Sequence, residues 1–393
     1  MPIHFSVETV MKRIIMIMGL MCLVILGMNT ARAQTEPKTS EIEFAGENWK
    51  LEEYGEAREK AFLGRQAMFL ERAQLTLLGR DFSEGVIEFD LAAEQASGFV
   101  GVNFRDDANG NGEQFYVRFH QSGRPDSTQY LAQLNGLASW QLHAGPNDAT
   151  AVELGTNQWI PIRIVVENDK ADIFVRDMIN PALHIAHLRT DNDEGNVTFY
   201  AFERPNMITG AYFSQILVRP LNAGEGVKGE PREEPKVPDT VVKTWQVSSP
   251  FSESLLADHF ILDQSLLDSV TWRDAKVEDN GVLNIARYTQ IAPEQQTVLV
   301  RINVNSQTPT TRQMDFGYSD RVRVYVNGSQ QFYGNSQWRS RDHRFLGTVG
   351  LHDAVILHLD AGDNEIIAAV SESFGGWGFL GQLNNREGLV IRP

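Results

Sequence analysis

The run Glu88-Phe89-Asp90 sets two carboxylates two residues apart in an alternating apolar and polar segment, Val86 to Leu91. A strand sends residues i and i+2 to one face. Ile87, Phe89 and Leu91 then face a core, and Glu88 and Asp90 face away. The same parity places Val100, Val102 and Phe104 inside and leaves Asn103 and Arg105 outside. It also places Phe115, Val117 and Phe119 inside and leaves Tyr116, Arg118 and His120 outside. With these strands as neighbours in one sheet, the outward groups form one patch, and Gln129, Tyr130 and Trp140 supply a rim. That mixture suits a sugar. Hydroxyls take bidentate donors and acceptors, and the apolar face of a pyranose lies on an aromatic ring. The bland alternative is a solvated face with internal ion pairs, such as Glu88 with Arg105, which contribute little. Glu88 and Asp90 are also the candidates for catalysis, because glycoside hydrolysis needs two carboxyl groups about 5–10 Å apart.

Other chemistry-bearing runs are less complete. Asp107-Ala108-Asn109-Gly110-Asn111-Gly112 matches the first half of a calcium loop, with Asp107, Asn109 and Asn111 as ligands. Its twelfth position is Arg118 instead of the bidentate glutamate, so a Gly/Asn-rich hairpin is the favoured reading and calcium the alternative. His184 and His187 are three apart in a strand-like stretch, which sends them to opposite faces and argues against a shared metal ion. Ser319-Asp320 with His343 has the residue types of a hydrolytic triad but no G-x-S-x-G elbow. No cofactor-binding fingerprint of the P-loop or dinucleotide type is present. In the last third, alternation of Val322, Val324 and Val326 turns Arg323, Tyr325 and Asn327 outward. Together with Trp338–Arg344 and the loop Gly375-Gly376-Trp377-Gly378-Phe379, these offer a sugar platform or a docking face; Arg341–Asp342 and Arg321–Asp320 also fit loop-bracing ion pairs.

The elements that must carry these residues are strands. Besides the three segments above, 159–166, 171–175, 197–202 and 211–218 read as strands separated by turn signals, as do 298–304, 322–326 and 366–370. Asn327-Gly328 is a hairpin turn. The spacing predicts an all-β chain of two antiparallel β-sandwich (jelly-roll) domains, 41–220 and 244–393. The Gly-, Glu- and Pro-rich stretch 221–243 joins them as a linker.

Lys12-Arg13, the apolar run 14–28 and Ala31-x-Ala33 form a secretory signal peptide, residues 1–33, cleaved after Ala33. The run is shorter than the roughly 20 residues of a membrane-spanning helix. The expectation is a secreted or periplasmic bacterial protein. Its single cysteine, Cys22, lies in that run, so the mature chain has no disulfide, thiol nucleophile or thiolate metal site. Net charge of −16 among 393 residues argues against nucleic acid and anionic membrane as partners.

The phrases DFSEGVIEFDL, FVGVNFR, EQFYVRFHQSGRPDSTQY, NGLASWQL and AYFSQILVRP resemble a concanavalin A-like lectin/glucanase domain of the laminin-G-like and 3-keto-disaccharide hydrolase-like group. RVRVYVNG, LDAGDNEIIAAV and FGGWGF are similar to a galactose-binding-like jelly roll. The first resemblance implies a sandwich shared by lectins, hydrolases and inert adhesion modules. Glucanases of that fold carry E-x-D-x-E or E-x-D-x-x-E. Here Glu94 comes one residue late even for the longer form. The expectation is an exported carbohydrate-binding or glycan-recognition protein without a required cofactor. A glycoside hydrolase or 3-keto-glycoside-acting enzyme is the alternative, and a non-catalytic adhesion or scaffold protein with a protein partner at the second domain is the third.

Overall fold

Phe89 and Phe199 pack edge to face with ring centroids 5.0 Å apart, although their strands share no hydrogen bonds. This contact defines the first sandwich in the computed structural model. The structure describes residues 37–96, 98–202, 210–257, 260–341, 347–373 and 375–393. The expected signal peptide and the Asp342, His343 and Arg344 run lie outside the described residues.

Two long strands anchor the first sandwich: β2 (Glu47–Glu59) pairs along the whole of β3 (Met68–Leu77), with β1 (Lys38–Phe44) on its free edge. The other edge of β3 forks. Met68 to Leu70 pair with β14 (Ala211–Arg219), and Ala73 to Thr76 pair with β13 (Asn196–Phe202). From β14 one half-sheet continues through β4 (Gly85–Ala92), β10 (Ile160–Glu167), β11 (Lys170–Val175) and β12 (Leu183–Ile185). From β13 the other continues through β5 (Phe99–Asp106), β6 (Gly112–Val117), β7 (Thr128–Leu134) and β8 (Leu137–Ala138), with β9 (Ala149–Thr150) also on β7. The inward residues of both halves, among them Trp49, Phe89, Phe104, Phe115, Phe199 and Phe213, share one core.

The second sandwich faces a sheet of β16 (Trp272–Lys276), β15 (Thr244–Ser248), β18 (Thr297–Ser306), β23 (Gly362–Ser371), β20 (Arg321–Val326) and β21 (Ser329–Asn335), with β25 (Leu389–Arg392) on β18, against a smaller one. The smaller sheet is β17 (Leu283–Asn284), β24 (Gly378–Leu383), β19 (Thr310–Ser319) and β22 (Asp353–Leu359). Its core holds Trp245, Phe316, Trp377 and Phe379. The chain is thus all-β and antiparallel in its large sheets. No described helix is long and apolar enough to cross a membrane.

Residues 39–393 form one compact unit, and two features tie the sandwiches together. Segment 139–143 of the first lies in the second: Gln141 Nε2 donates to Gly347 O at 3.0 Å, and Gly376 N donates to Gln141 Oε1 at 2.9 Å. The stretch 221–243 lacks regular structure but is fastened to both, through Lys228 N and Gly229 N to Asp172 and Val242 N to Gly381 O.

Candidate functional site

The expected single patch is two surfaces. β4 and β5 are separated in the sheet path by β14, β3 and β13. Their inward residues meet across the core, so their outward residues lie on opposite outer faces of the sandwich. Glu88 pairs with Arg163 and Asp90 with Arg65 on one face. Asn103, Tyr116 and Gln129 lie on the other. The parity was correct within each strand, but strand order follows from long-range pairing and is not encoded in alternation.

The outer face of β5, β6 and β7 holds a closed polar network. Tyr116 OH donates to Gln129 Oε1 at 2.6 Å, and Arg118 Nη2 donates to both, at 2.6 Å to the phenol and 2.7 Å to the amide. Arg118 Nη1 donates to Asp126 O and Oδ2, each at 2.9 Å. Gln129 Nε2 donates to Trp140 O at 2.8 Å and to His143 O, which staples the 140–143 loop over the strands. Tyr116 and Arg118 are 4% and 6% exposed. They position this surface, and their polar atoms are already spent on the protein. This corrects the expectation that they present hydrogen bonds outward. Asn103 is likewise engaged, accepting from Gln114 Nε2 at 2.9 Å and donating to Gln133 at 3.2 Å.

Three other candidates move. Tyr130 points into the core and donates to buried Glu113 at 2.5 Å, so it forms no rim. Its inward direction follows from register, because it pairs with Phe115. Arg105 has φ of 54°, which breaks the alternation at the end of β5. Its guanidinium is buried and braces loops through Ser83 O and Asn168 O at 2.6 and 2.7 Å. His120 lies in a 3-10 turn (Phe119–Gln121) past the end of β6, against Phe99, with ring centroids 5.7 Å apart.

What remains open on this face is aromatic. Phe99 and Trp140 are half-buried and pack with buried Tyr116, Leu131 and Tyr200. Phe99 lies edge to face with Tyr116 at 5.7 Å, and Tyr200 neighbours Phe202 at 5.2 Å. Phe202 is 36% exposed. Arg118 sits over the Tyr116 and Phe99 rings at 5.0 and 5.6 Å. Phe99, Tyr200 and Phe202 were missed as site residues. The signal was present, because residues 99 and 200 have the outward parity of Asn103 and Thr198. Asp106, beside Asn103, was also missed: burial pushes its carboxyl up to about 8, reinforced by Asp107 and Glu113 and opposed by the Asn103 hydrogen bond.

The Asp107 loop is a hairpin capped by its own side chain. Asp107 Oδ1 accepts from Asn109 N and Asn111 N at 2.8 Å, and Oδ2 accepts from Asn111 Nδ2 at 2.8 Å. Burial is the largest single influence and would raise the Asp107 carboxyl, but these hydrogen bonds together outweigh it and hold the group below its usual range. Among the described residues no group of three or more His, Cys, Asp and Glu side chains is placed to hold a metal. His184 and His187 turn to separate aspartates, Asp172 and Asp169, each at 2.7 Å. In the second sandwich, buried Ser319 donates to Glu372 at 3.0 Å. Arg321 pairs with Glu253 in place of the expected Asp320, and Arg341 pairs with Asp353. Tyr325 is directed away from the main core but is fully covered by Phe251, Leu256, Leu262 and Leu266. The Gly375–Phe379 loop is a docking face: Trp377 is buried, and a Cβ on Gly376 would lie 2.8 Å from Leu142 Cγ.

No protein family and no curated protein matches the chain. Among solved structures it is similar to the carbohydrate binding module CBM66 from Bacillus subtilis, at 14% identity over 46% of this chain and 92% of that one, with a TM-score of 0.29. It is also similar to domain 4 of AbnA, a GH43 extracellular arabinanase from Geobacillus stearothermophilus in complex with arabinotriose (11% identity, 47% and 95% covered, TM-score 0.28). The botulinum neurotoxin type G receptor binding domain matches across both sandwiches (11% identity, 90% and 99% covered, TM-score 0.28). Scores this low carry no weight for the function of this chain, which rests on its own residues.

Proposed function

We propose that the chain binds carbohydrate, without a catalytic step, on the outer face of β5, β6 and β13. The observation that supports this reading is the aromatic surface of Phe99, Trp140 and Phe202 over a floor of Tyr116 and Tyr200. Flat rings take the apolar faces of sugars, and the Arg118–Gln129 network holds the floor rigid, so little ordering entropy opposes binding. The carboxylates expected to hydrolyse a glycoside, Glu88 and Asp90, are paired with arginines on the opposite face. The concanavalin A-like and galactose-binding-like family readings, and export after Ala33, belong to this proposal.

Titration of the purified chain with soluble polysaccharides by calorimetry tests it. Trp140→Ala and Phe99→Ala should each weaken binding by about 1–2 kcal/mol, the scale of one stacked ring with its buried area. Leu217→Ala, exposed on the opposite face, should bind as the parent does. Unchanged affinity in both aromatic variants, or product release that Glu88→Gln abolishes, would overturn the reading.

A further inference from the structure

A second concave site lies on the opposite half-sheet, where the 221–243 stretch crosses β11 and β12. It is a cavity of about 330 Å³ lined by Lys170, His184, His187, Lys228, Gly229 and Glu230, among others. Two lysines and two histidines are among its nine lining residues, with one glutamate, in a chain whose net charge is −16.

The site is built from beneath. Asp172 is 1% exposed. Its Oδ2 accepts from Lys228 N at 2.7 Å and Gly229 N at 2.9 Å, and its Oδ1 lies 2.7 Å from His184 Nδ1. A carboxylate with these neighbours only accepts, so Nδ1 of His184 carries a proton and the ring is fixed with Nε2 as its remaining polar atom. Only glycine fits at 229, because a Cβ would lie 2.5 Å from Asp172 Oδ1 and 2.9 Å from His184 Nδ1. Lys228 spends one donor on Gly224 O at 3.1 Å and keeps the others. His187 is engaged by Asp169.

We propose that this cavity binds an oxyanion group, a sulfate or a sugar-borne acid, through Lys170 and Lys228, beside the His184 ring that Asp172 holds in place. Glu230 lines the cavity with both lysines, and Lys170 also interacts with Asp169 at its margin. Ammonium groups at the mouth of a cavity make charge-assisted hydrogen bonds to an acidic group. The proposal does not rest on the aromatic surface of the other face.

The test follows the His184 ring resonances of the full chain by NMR as sodium sulfate replaces chloride at constant ionic strength. A saturable shift is expected, weakened about tenfold in Lys170→Gln and in Lys228→Gln, the loss of one charge-assisted hydrogen bond. Both lysines are exposed, so these variants should fold. A sulfated oligosaccharide and its desulfated counterpart form the second arm. Tighter binding of the sulfated sugar than of sulfate identifies a glycan source, and equal binding identifies the free ion. If neither sulfate nor the sulfated sugar moves His184, or if both lysine variants bind as the parent does, Asp172 and His184 only clamp the crossing chain and the proposal fails.

Discussion

Arg118 shows how far one side chain's role depends on its neighbours. Outward parity suggested a ligand-facing guanidinium, whereas its four hydrogen bonds go to Tyr116, Gln129 and Asp126. Removing it leaves Asp126 and the Tyr116–Gln129 pair short of a buried partner. Arg118→Ala should therefore lower unfolding free energy by about 3 kcal/mol. Denaturant titration checks this, and a change below about 0.5 kcal/mol would contradict it. Asp106 predicts the opposite sign. Its folded carboxyl titrates at about 8 against an ordinary 3.8. Folding therefore holds a proton that the unfolded chain releases, and stability falls as pH rises between those values. Asp106→Asn should gain stability relative to the parent as pH is raised from 4 to 8, with little difference at pH 4. Parallel pH dependence of the two proteins would exclude the buried-acid assignment.

The glycine-rich loop before β24 acts at the level of the element. It resembles an aromatic sugar platform in sequence, yet its glycines make room for Leu142 and Ser139 of the first sandwich. Gly376→Ala would push a methyl against Leu142 Cγ, a branch point that cannot swing aside without disturbing a buried side chain. Overpacking of this kind costs about 1–3 kcal/mol. A lowered melting temperature is expected, with sugar affinity retained because the aromatic surface lies on strands of the first sandwich. An unchanged melting temperature would show that the 139–143 segment yields. At this scale the alternating segments were legible: β4, β5, β10, β11, β13 and β14 fall within a residue or two of the segments read as strands. β2 and β3 were not. ENWKLEEYGEARE and MFLERAQLTL are rich in helix-favouring Glu, Ala, Leu and Arg. They become strands because β3 finds partners on both edges, a tertiary override of local propensity.

Across the whole molecule, a buried charged cluster joins the sandwiches. Glu278 lies 2.7 Å from His143 Nε2 and accepts from Arg287 Nε at 2.7 Å, while Arg287 Nη2 donates to Arg189 O at 2.7 Å. Burial alone would raise the Glu278 carboxyl, but His143, Arg287 and Arg189 outweigh it and hold it far below its ordinary 4.5. A depressed carboxylate contributes stability that is fully present above the unfolded value and is lost as pH falls toward the folded one. Glu278→Gln should cost about 3 kcal/mol at pH 7, and the gap from the parent should narrow as pH drops below about 4.5. Thermal unfolding between pH 3 and pH 7 reads this directly. A gap that stays constant across that range would mean that the ion pair does not couple the sandwiches.

The sequence by itself determined what is local. Period-two alternation is a property of one strand, so the all-β class, the inward residues Phe89, Phe104, Phe115 and Val117, and the Asn327-Gly328 turn with φ of 49° and 79° were legible. Only the tertiary structure decided which outward faces coincide. The fork at β3 put Glu88 and Asp90 on one surface and Tyr116 and Gln129 on the other. The left-handed backbone at Arg105 and the turn at His120 broke the parity, and the 140–143 loop covered the polar floor. Each of these depends on partners far away in the chain, and alternation within a segment carries no information about which distant segment will lie beside it.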